Sequence, residues 1–125
     1  MTDTNFNQNI IEWKQGDLIY KLGDEANFAY FLQEGEIEII SEKGVRVGFI
    51  NEKEVFGEQS LLLGTKRTVT TKATKDSKAF RIPKETLTKE FDKSSKLIRA
   101  ILRTTYIRLM NVDNTIKDNL DSILK

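Results

Sequence analysis

The sequence predicts a mostly β domain with C-terminal helices: an antiparallel β-roll of the double-stranded β-helix or jelly-roll kind over residues 10–83, flanked by α-helices over 84–125. Three observations carry this. Between Ile10 and Ile82 the apolar residues fall in short, strand-length runs separated at regular intervals by glycine-containing turns, the pattern of a closed or double-layered antiparallel sheet. From Thr86 the apolar period lengthens from two to three and four, which is helical. A length of 125 residues without cysteine fits one core that needs no covalent staple, and a second domain is not expected.

The elements follow in order. Met1 to Asn9 is polar and reads as a flexible N-terminus. Ile10 to Lys14 begins the ordered part, with Ile10, Ile11 and Trp13 apolar, and Gln15-Gly16-Asp17 is a turn. Leu18 to Leu22 is a second short strand closed by Gly23-Asp24. Ala29 to Gln33 and Glu36 to Ile40 are strands, the latter reading Glu-Ile-Glu-Ile with the alternation of one buried face. Gly35 between them marks a bulge or sharp bend. Ser41 to Gly44 is a hairpin turn, and Val45 to Ile50 returns as a strand. Gly48 within that strand serves either a barrel bend or the close approach of another body.

Residues 56–69, Phe-Gly-Glu-Gln-Ser-Leu-Leu-Leu-Gly-Thr-Lys-Arg-Thr-Val, combine backbone geometry, charge and spacing more specifically than any other stretch. Gly57 permits positive φ and close approach, and the amides of Gly57, Glu58, Gln59 and Ser60 then lie at the open end of a short helix running to about Leu63, an end that attracts anions. Gly64 is a natural C′ residue, so the chain turns back and brings Arg67 near those amides. Arginine offers phosphate oxygens a planar fork of donors. Glu58 would repel an anion, and fits only if the ligand also carries a hydroxyl that needs an acceptor. A phosphate beside a sugar hydroxyl describes a nucleotide.

Arg67 to Ala73 and Lys78 to Ile82 then complete the sheet, and Pro83 is expected at the N1 position of the first C-terminal helix. Leu87 and Phe91 lie one helical turn apart, Asp92 to Ser95 supplies a cap or kink, and Lys96 to about Lys125 is helical, with Asn111 to Asn114 the point where a break would fall. Ile98, Leu102, Thr105, Leu109, Val112, Ile116, Asn119 and Ile123 form a heptad seam. Two arrangements fit it: a helix packed on its own roll, or a parallel homodimer with Asn119 fixing register. Leu97, Ile101, Tyr106 and Met110 widen the stripe. Lys96, Arg99 and Arg103 form a row on another face, which reads as solvated surface.

Composition narrows the function. Charged residues make up 31% and the net charge is +1, so no global field recruits nucleic acid or an acidic membrane. The absence of histidine and cysteine removes the usual near-neutral general base, thiolate nucleophile and metal ligands, so binding is expected rather than catalysis, and no metal. It also sets the chain apart from cupins, which share the jelly roll and typically hold a metal with histidines. The start lacks the basic and apolar regions of a signal peptide, and no apolar run approaches a membrane span; a cytoplasmic location is expected.

The stretch from Phe56 to Val69 resembles the phosphate-binding cassette of the cyclic nucleotide-binding domain family. Trp13-Lys-Gln-Gly-Asp-Leu-Ile, Leu22-Gly-Asp, Tyr30-Phe-Leu-Gln-Glu-Gly-Glu-Ile-Glu-Ile and Ala79-Phe-Arg-Ile-Pro-Lys-Glu match the family pattern in order, so about residues 10 to 90 are covered. The resemblance implies that Glu58 takes the ribose 2′-hydroxyl, Arg67 pairs with the cyclic phosphate, and the amides of Gly57 and Ser60 complete the cradle. The expected ligand-binding set is Phe56, Gly57, Glu58, Gln59, Ser60, Arg67, Thr68 and Val69, with Val47 and Gly48 on the roll. Val47 and Val69 read equally as walls for the base or as core. The implied ligand is cAMP, ahead of cGMP; Thr68 does not decide, because a threonine there accompanies guanine in kinase members and phosphate binding in bacterial ones.

The family pattern also implies a C-terminal helix that folds over the base and signals by moving, with Arg99, Arg103 and Tyr106 of suitable chemistry to cap it. Three positions depart from the pattern. Lys66 stands in place of a common proline and adds a cation near the phosphate. Lys53-Glu54 replaces a frequent Gly-Asp turn, and Gln59 brings an amide next to the cradle. The implied partners are the nucleotide, a second copy through the C-terminal helix and a downstream effector. No length remains for a helix-turn-helix, so direct DNA binding is not expected. The alternative is a diverged interaction or dimerisation domain of the same fold that binds no nucleotide.

Overall fold

A computed structural model of the chain describes residues 9–109. Among the described residues eight strands are formed: β1 (Ile10–Trp13), β2 (Leu18–Tyr20), β3 (Phe28–Glu34), β4 (Ile37–Ile40), β5 (Arg46–Ile50), β6 (Val55–Phe56), β7 (Thr70–Ala73) and β8 (Ser77–Pro83). The helices are α1 (Glu58–Leu63), α2 (Lys84–Lys93) and α3, which is helical throughout the described residues 96–109.

The strands make two four-stranded sheets, ordered β1-β8-β3-β6 and β2-β7-β4-β5, and every ladder is antiparallel. Apart from the β4–β5 hairpin, successive strands alternate between the sheets, which is the winding of the expected roll. Trp13, Tyr30, Leu32, Ile37, Ile50, Phe56, Ala73 and Ala79 close the core between the sheets, drawing on seven of the eight strands. A second cluster of Ala29, Leu61 and Ile82, with Leu87 against it, brings α1 and the first turns of α2 onto the other side of β3 and β8. β3 reads as a nearly continuous apolar run because both of its faces are covered.

Two backbone positions hold the turns. Gly35 has φ 104, and a Cβ there would lie 2.1 Å from Ser77 Oγ and 2.7 Å from Ser77 Cα, so only glycine fits the bend between β3 and β4. Lys53, in the loop before Phe56, has φ 70, the one non-glycine residue with positive φ among the described residues. Its N–H donates to Leu32 O at 2.7 Å. The Lys-Glu turn therefore takes the left-handed conformation that glycine would adopt at lower cost.

The structure corrects two boundaries. Pro83 is the last residue of β8, opposite Phe28, and the helix begins at Lys84, whose N–H donates to Asn27 O at 2.9 Å. The sheet claims Pro83 because its missing N–H costs nothing at a strand end. Strand β7 begins at Thr70 rather than Arg67, for reasons set by the site below.

The cap or kink expected at Asp92 to Ser95 is present as a cap. α2 ends at Lys93, and Ser95 Oγ accepts from Ile98 N–H at 3.1 Å as the cap of α3. The chain divides into two compact units between Lys89 and Glu90. Ile98, Leu102, Thr105 and Leu109 lie in α3; Met110, the break near Asn111, and the seam positions Val112, Ile116, Asn119 and Ile123 lie outside the described residues. No helix among the described residues is long and apolar enough to cross a membrane.

Candidate functional site

Helix α1 is bounded by left-handed glycines, Gly57 at φ 79 and Gly64 at φ 71, as their lack of Cβ predicts. No side chain caps its start. Ser60 is buried; its carbonyl accepts the N–H groups of Gly64 and Thr65, and its Oγ lies 3.3 Å from Lys66 O. These contacts fold residues 64–66 back along the helix and deliver Arg67 to its start.

Arg67 is held at both backbone groups. Its N–H donates to Asp24 O at 2.9 Å, and its carbonyl accepts from Gly23 N–H at 2.8 Å. The Gly23-Asp24 turn is itself closed by Lys21 N–H donating to Asp24 Oδ2 at 2.9 Å. With its backbone paired to this loop, Arg67 is not available to β7, which explains the later start of that strand.

Arg67 is only 4% exposed. Nη1 donates to Gly57 O at 2.6 Å, and Nη2 donates to Phe28 O. Cζ lies 3.9 Å from the centre of the Tyr20 ring, while Nε is buried without a hydrogen-bond partner. A Cβ on Gly57 would stand 3.0 Å from Nη1 and 3.4 Å from Tyr20 Cε2. Glycine at 57 thus meets two demands, a left-handed φ and room for the guanidinium.

Electrostatics link the site's charged groups through Tyr20. Burial pushes its hydroxyl up to about 12, Arg67 opposes the shift and Glu58 adds to it. The carboxylate and the guanidinium that the sequence singles out therefore act on one phenol. Tyr30 is also raised, again by burial first, with Arg67 and Arg81 opposing. Arg81 lies with Cζ 4.4 Å from the Phe28 ring centre, and its Nε is buried without a partner.

The remaining expected residues divide. Phe56 is a core residue, stacked on Tyr30 with centroids 5.1 Å apart. Glu58 and Gln59 occupy the first turn of α1 and are half-buried. Thr68 is exposed and Val69 half-buried, both ahead of β7. Val47 is 61% exposed on the edge strand β5, so it is not core. It is also the extra residue of a bulge, since Ile39 pairs with Gly48 and Ile40 with Arg46. Gly48 has only Ile39 Cδ1 near an added Cβ, at 3.8 Å. Lys66 Nζ lies 3.7 Å from Glu25 Oε1, both side chains being exposed. In the second unit, Arg99 Nη1 donates to Asp92 O at 2.7 Å.

Sequence reasoning missed Tyr20, the Phe28 carbonyl and the Gly23-Asp24 clamp on Arg67. Gly23-Asp24 reads from the sequence as a turn and as part of the family pattern, not as a clamp on Arg67. Nothing in Leu18-Ile19-Tyr20 distinguishes the tyrosine from an ordinary strand residue. Among the described residues, no group of three or more His, Cys, Asp or Glu side chains is placed to hold a metal ion.

The family model described as Cyclic nucleotide-binding domain matches residues 10–94. The cAMP-bound form of the EAL enzyme Bd1971 aligns with TM-score 0.77 at 20% identity, over 87% of this chain and 30% of that one. Its cGMP-bound form gives 0.78 at 19% identity, over 90% and 31%. A cAMP-bound mutant of the regulatory subunit of a cAMP-independent protein kinase A from Trypanosoma brucei gives 0.60 at 31% identity, over 62% and 29%. The chain thus spans about 30% of the length of the enzyme structures it matches.

Proposed function

Because the chain belongs to the cyclic nucleotide-binding domain family, we propose that it is a cyclic nucleotide sensor that takes cAMP, in preference to cGMP, at the cassette and signals through its C-terminal helix. The observation that carries this is Arg67: a residue only 4% exposed, its guanidinium at the start of α1, with a buried Nε that has no protein partner. A buried donor without an acceptor is costly and calls for one. In this reading the cyclic phosphate supplies it, the amides of Gly57 and Ser60 complete the cradle, and Glu58 accepts the ribose 2′-hydroxyl. Gln59, Thr68 and Val69 border the nucleotide, and Val47 and Gly48 of β5 face its base.

Ligand binding shifts a population rather than driving chemistry. An occupied cassette favours one position of the helix after Ser95, and an attached domain, a second copy or a separate effector reads the change. Members of the fold occur within a cAMP-bound enzyme and a cAMP-bound kinase regulatory subunit, which supports a regulatory role. The site works without catalysis and without metal, in the cytoplasm.

A second reading is an interaction domain that binds no nucleotide. It is favoured by the fact that Arg67 already has two carbonyl partners, Gly57 and Phe28. Calorimetry with cAMP and cGMP separates the two. Saturable binding of cAMP, tighter than of cGMP and weakened about tenfold or more by Glu58→Ala or by 2′-deoxy-cAMP, is the expected result. No heat from either nucleotide at millimolar concentration would leave the interaction domain standing.

A further inference from the structure

The Arg67 guanidinium is restrained on three sides. Two of its nitrogens are tied to the carbonyls of Gly57 and Phe28, and one flat face is covered by Tyr20 at 3.9 Å. That ring is itself packed against the main core, its centre 6.4 Å from that of the Phe56 ring. A cation over an aromatic face gains electrostatically in a desolvated setting. A long side chain held in one rotamer also loses less entropy when its ligand arrives.

We propose that Tyr20 is a positioning residue of the nucleotide site: its ring, rather than its hydroxyl, holds the Arg67 guanidinium in the orientation that meets the ligand's anionic group. This rests on the reading of the site as one for a cyclic phosphate. The tyrosine lies against the arginine, and in this reading its effect on the ligand passes through Arg67. An aromatic residue at position 20 then becomes part of what sets affinity for the charged end of the ligand.

The test uses the full chain with Tyr20→Phe, Tyr20→Leu and Arg67→Lys, calorimetry with cAMP, and the NMR signal of the Arg67 Nε–H group. In the parent protein that proton, on a guanidinium lying over the ring, resonates upfield of exposed arginines; Tyr20→Phe keeps the shift and Tyr20→Leu loses it. Affinity for cAMP is expected within about twofold of the parent in Tyr20→Phe and about tenfold weaker in Tyr20→Leu. In an Arg67→Lys background Tyr20→Leu should cost nothing further, whereas a merely structural residue would weaken both backgrounds alike.

Unchanged affinity in a folded Tyr20→Leu, or equal loss in Tyr20→Phe, overturns the proposal. If Tyr20→Leu does not fold, the parent's Nε–H signal decides: a normal, unshifted resonance overturns it. If the parent binds no cyclic nucleotide, the proposed function fails, while the signal still reports whether the ring holds the arginine.

Discussion

Arg67→Ala is expected to destabilise the ligand-free protein, by an amount set by what the guanidinium touches. It donates to the carbonyls of Gly57 and Phe28 and covers Tyr20, at 4% exposure. Hydrogen bonds from a charged donor contribute about 1.5–3 kcal/mol each, and the ring contact about 0.5–2 kcal/mol. Against this stands the desolvation of the guanidinium, several kcal/mol, which the alanine variant no longer incurs. What remains is two carbonyls left short of a donor, about 1–2 kcal/mol each, for a net loss of about 2–4 kcal/mol.

Urea denaturation of the ligand-free chain measures this directly. Trp13, the only tryptophan, is buried against Tyr30 and reports the roll alone. With a urea slope of about 1.5 kcal/mol/M, the midpoint should fall by roughly 1.3–2.7 M. Arg67→Lys, which keeps a charge and can reach one carbonyl, should fall in between. A midpoint within about 0.3 M of the parent for Arg67→Ala would mean that the guanidinium does not hold Gly57 and Phe28 together in solution. Arg67 would then be free for a ligand and irrelevant to the fold.

Gly35→Ala should be among the most damaging single changes, costing about 3 kcal/mol or more, because the new Cβ meets Ser77 Cα at 2.7 Å and φ is 104; a thermal melt that barely moves would contradict the bend. Lys53→Gly should raise the urea midpoint, since relief of a left-handed lysine at φ 70, about 1–2 kcal/mol, outweighs the added flexibility of the unfolded chain, about 0.5–1 kcal/mol. Alkaline pH should destabilise the roll through Tyr20. Its folded-state value is raised from 10.0 to about 12, so the contribution is complete below pH 10 and is lost as pH rises from about 10 to 12, amounting to about 2–3 kcal/mol. Tyr20→Phe should lose less stability than the parent across that window; an identical pH profile would place the phenol in water.

The fold was legible because its signals are local and mutually consistent. Alternation in Glu36 to Ile40, the turn at Ser41 to Gly44 and the change of period at Thr86 each constrain a few residues, and together they leave few architectures. The helix from Glu58 to Leu63 could be read from its two bounding glycines alone. Pro83 could not, because the same residue suits a helix start and a strand end, and the choice fell to pairing with Phe28 across the sheet. Val47 reads from sequence equally as core or as ligand wall. Exposure at the edge of the sheet removes the first option, through a bulge that alternation does not reveal.

The sequence by itself determined that a glycine-bounded helix would carry a carboxylate at its start and be followed by an arginine, since turn chemistry and charge are properties of neighbouring residues. It also determined, through the missing histidine and cysteine, that the common near-neutral catalytic and metal-binding side chains are absent. Only the tertiary structure decided what surrounds Arg67. Tyr20, Phe28 and Gly23 to Asp24 lie between 39 and 47 residues away along the chain, and no local pattern links them to it. They meet because the roll winds β2, β3 and the loop between them back past the start of α1. Burial then makes Arg67 a fixed, desolvated cation.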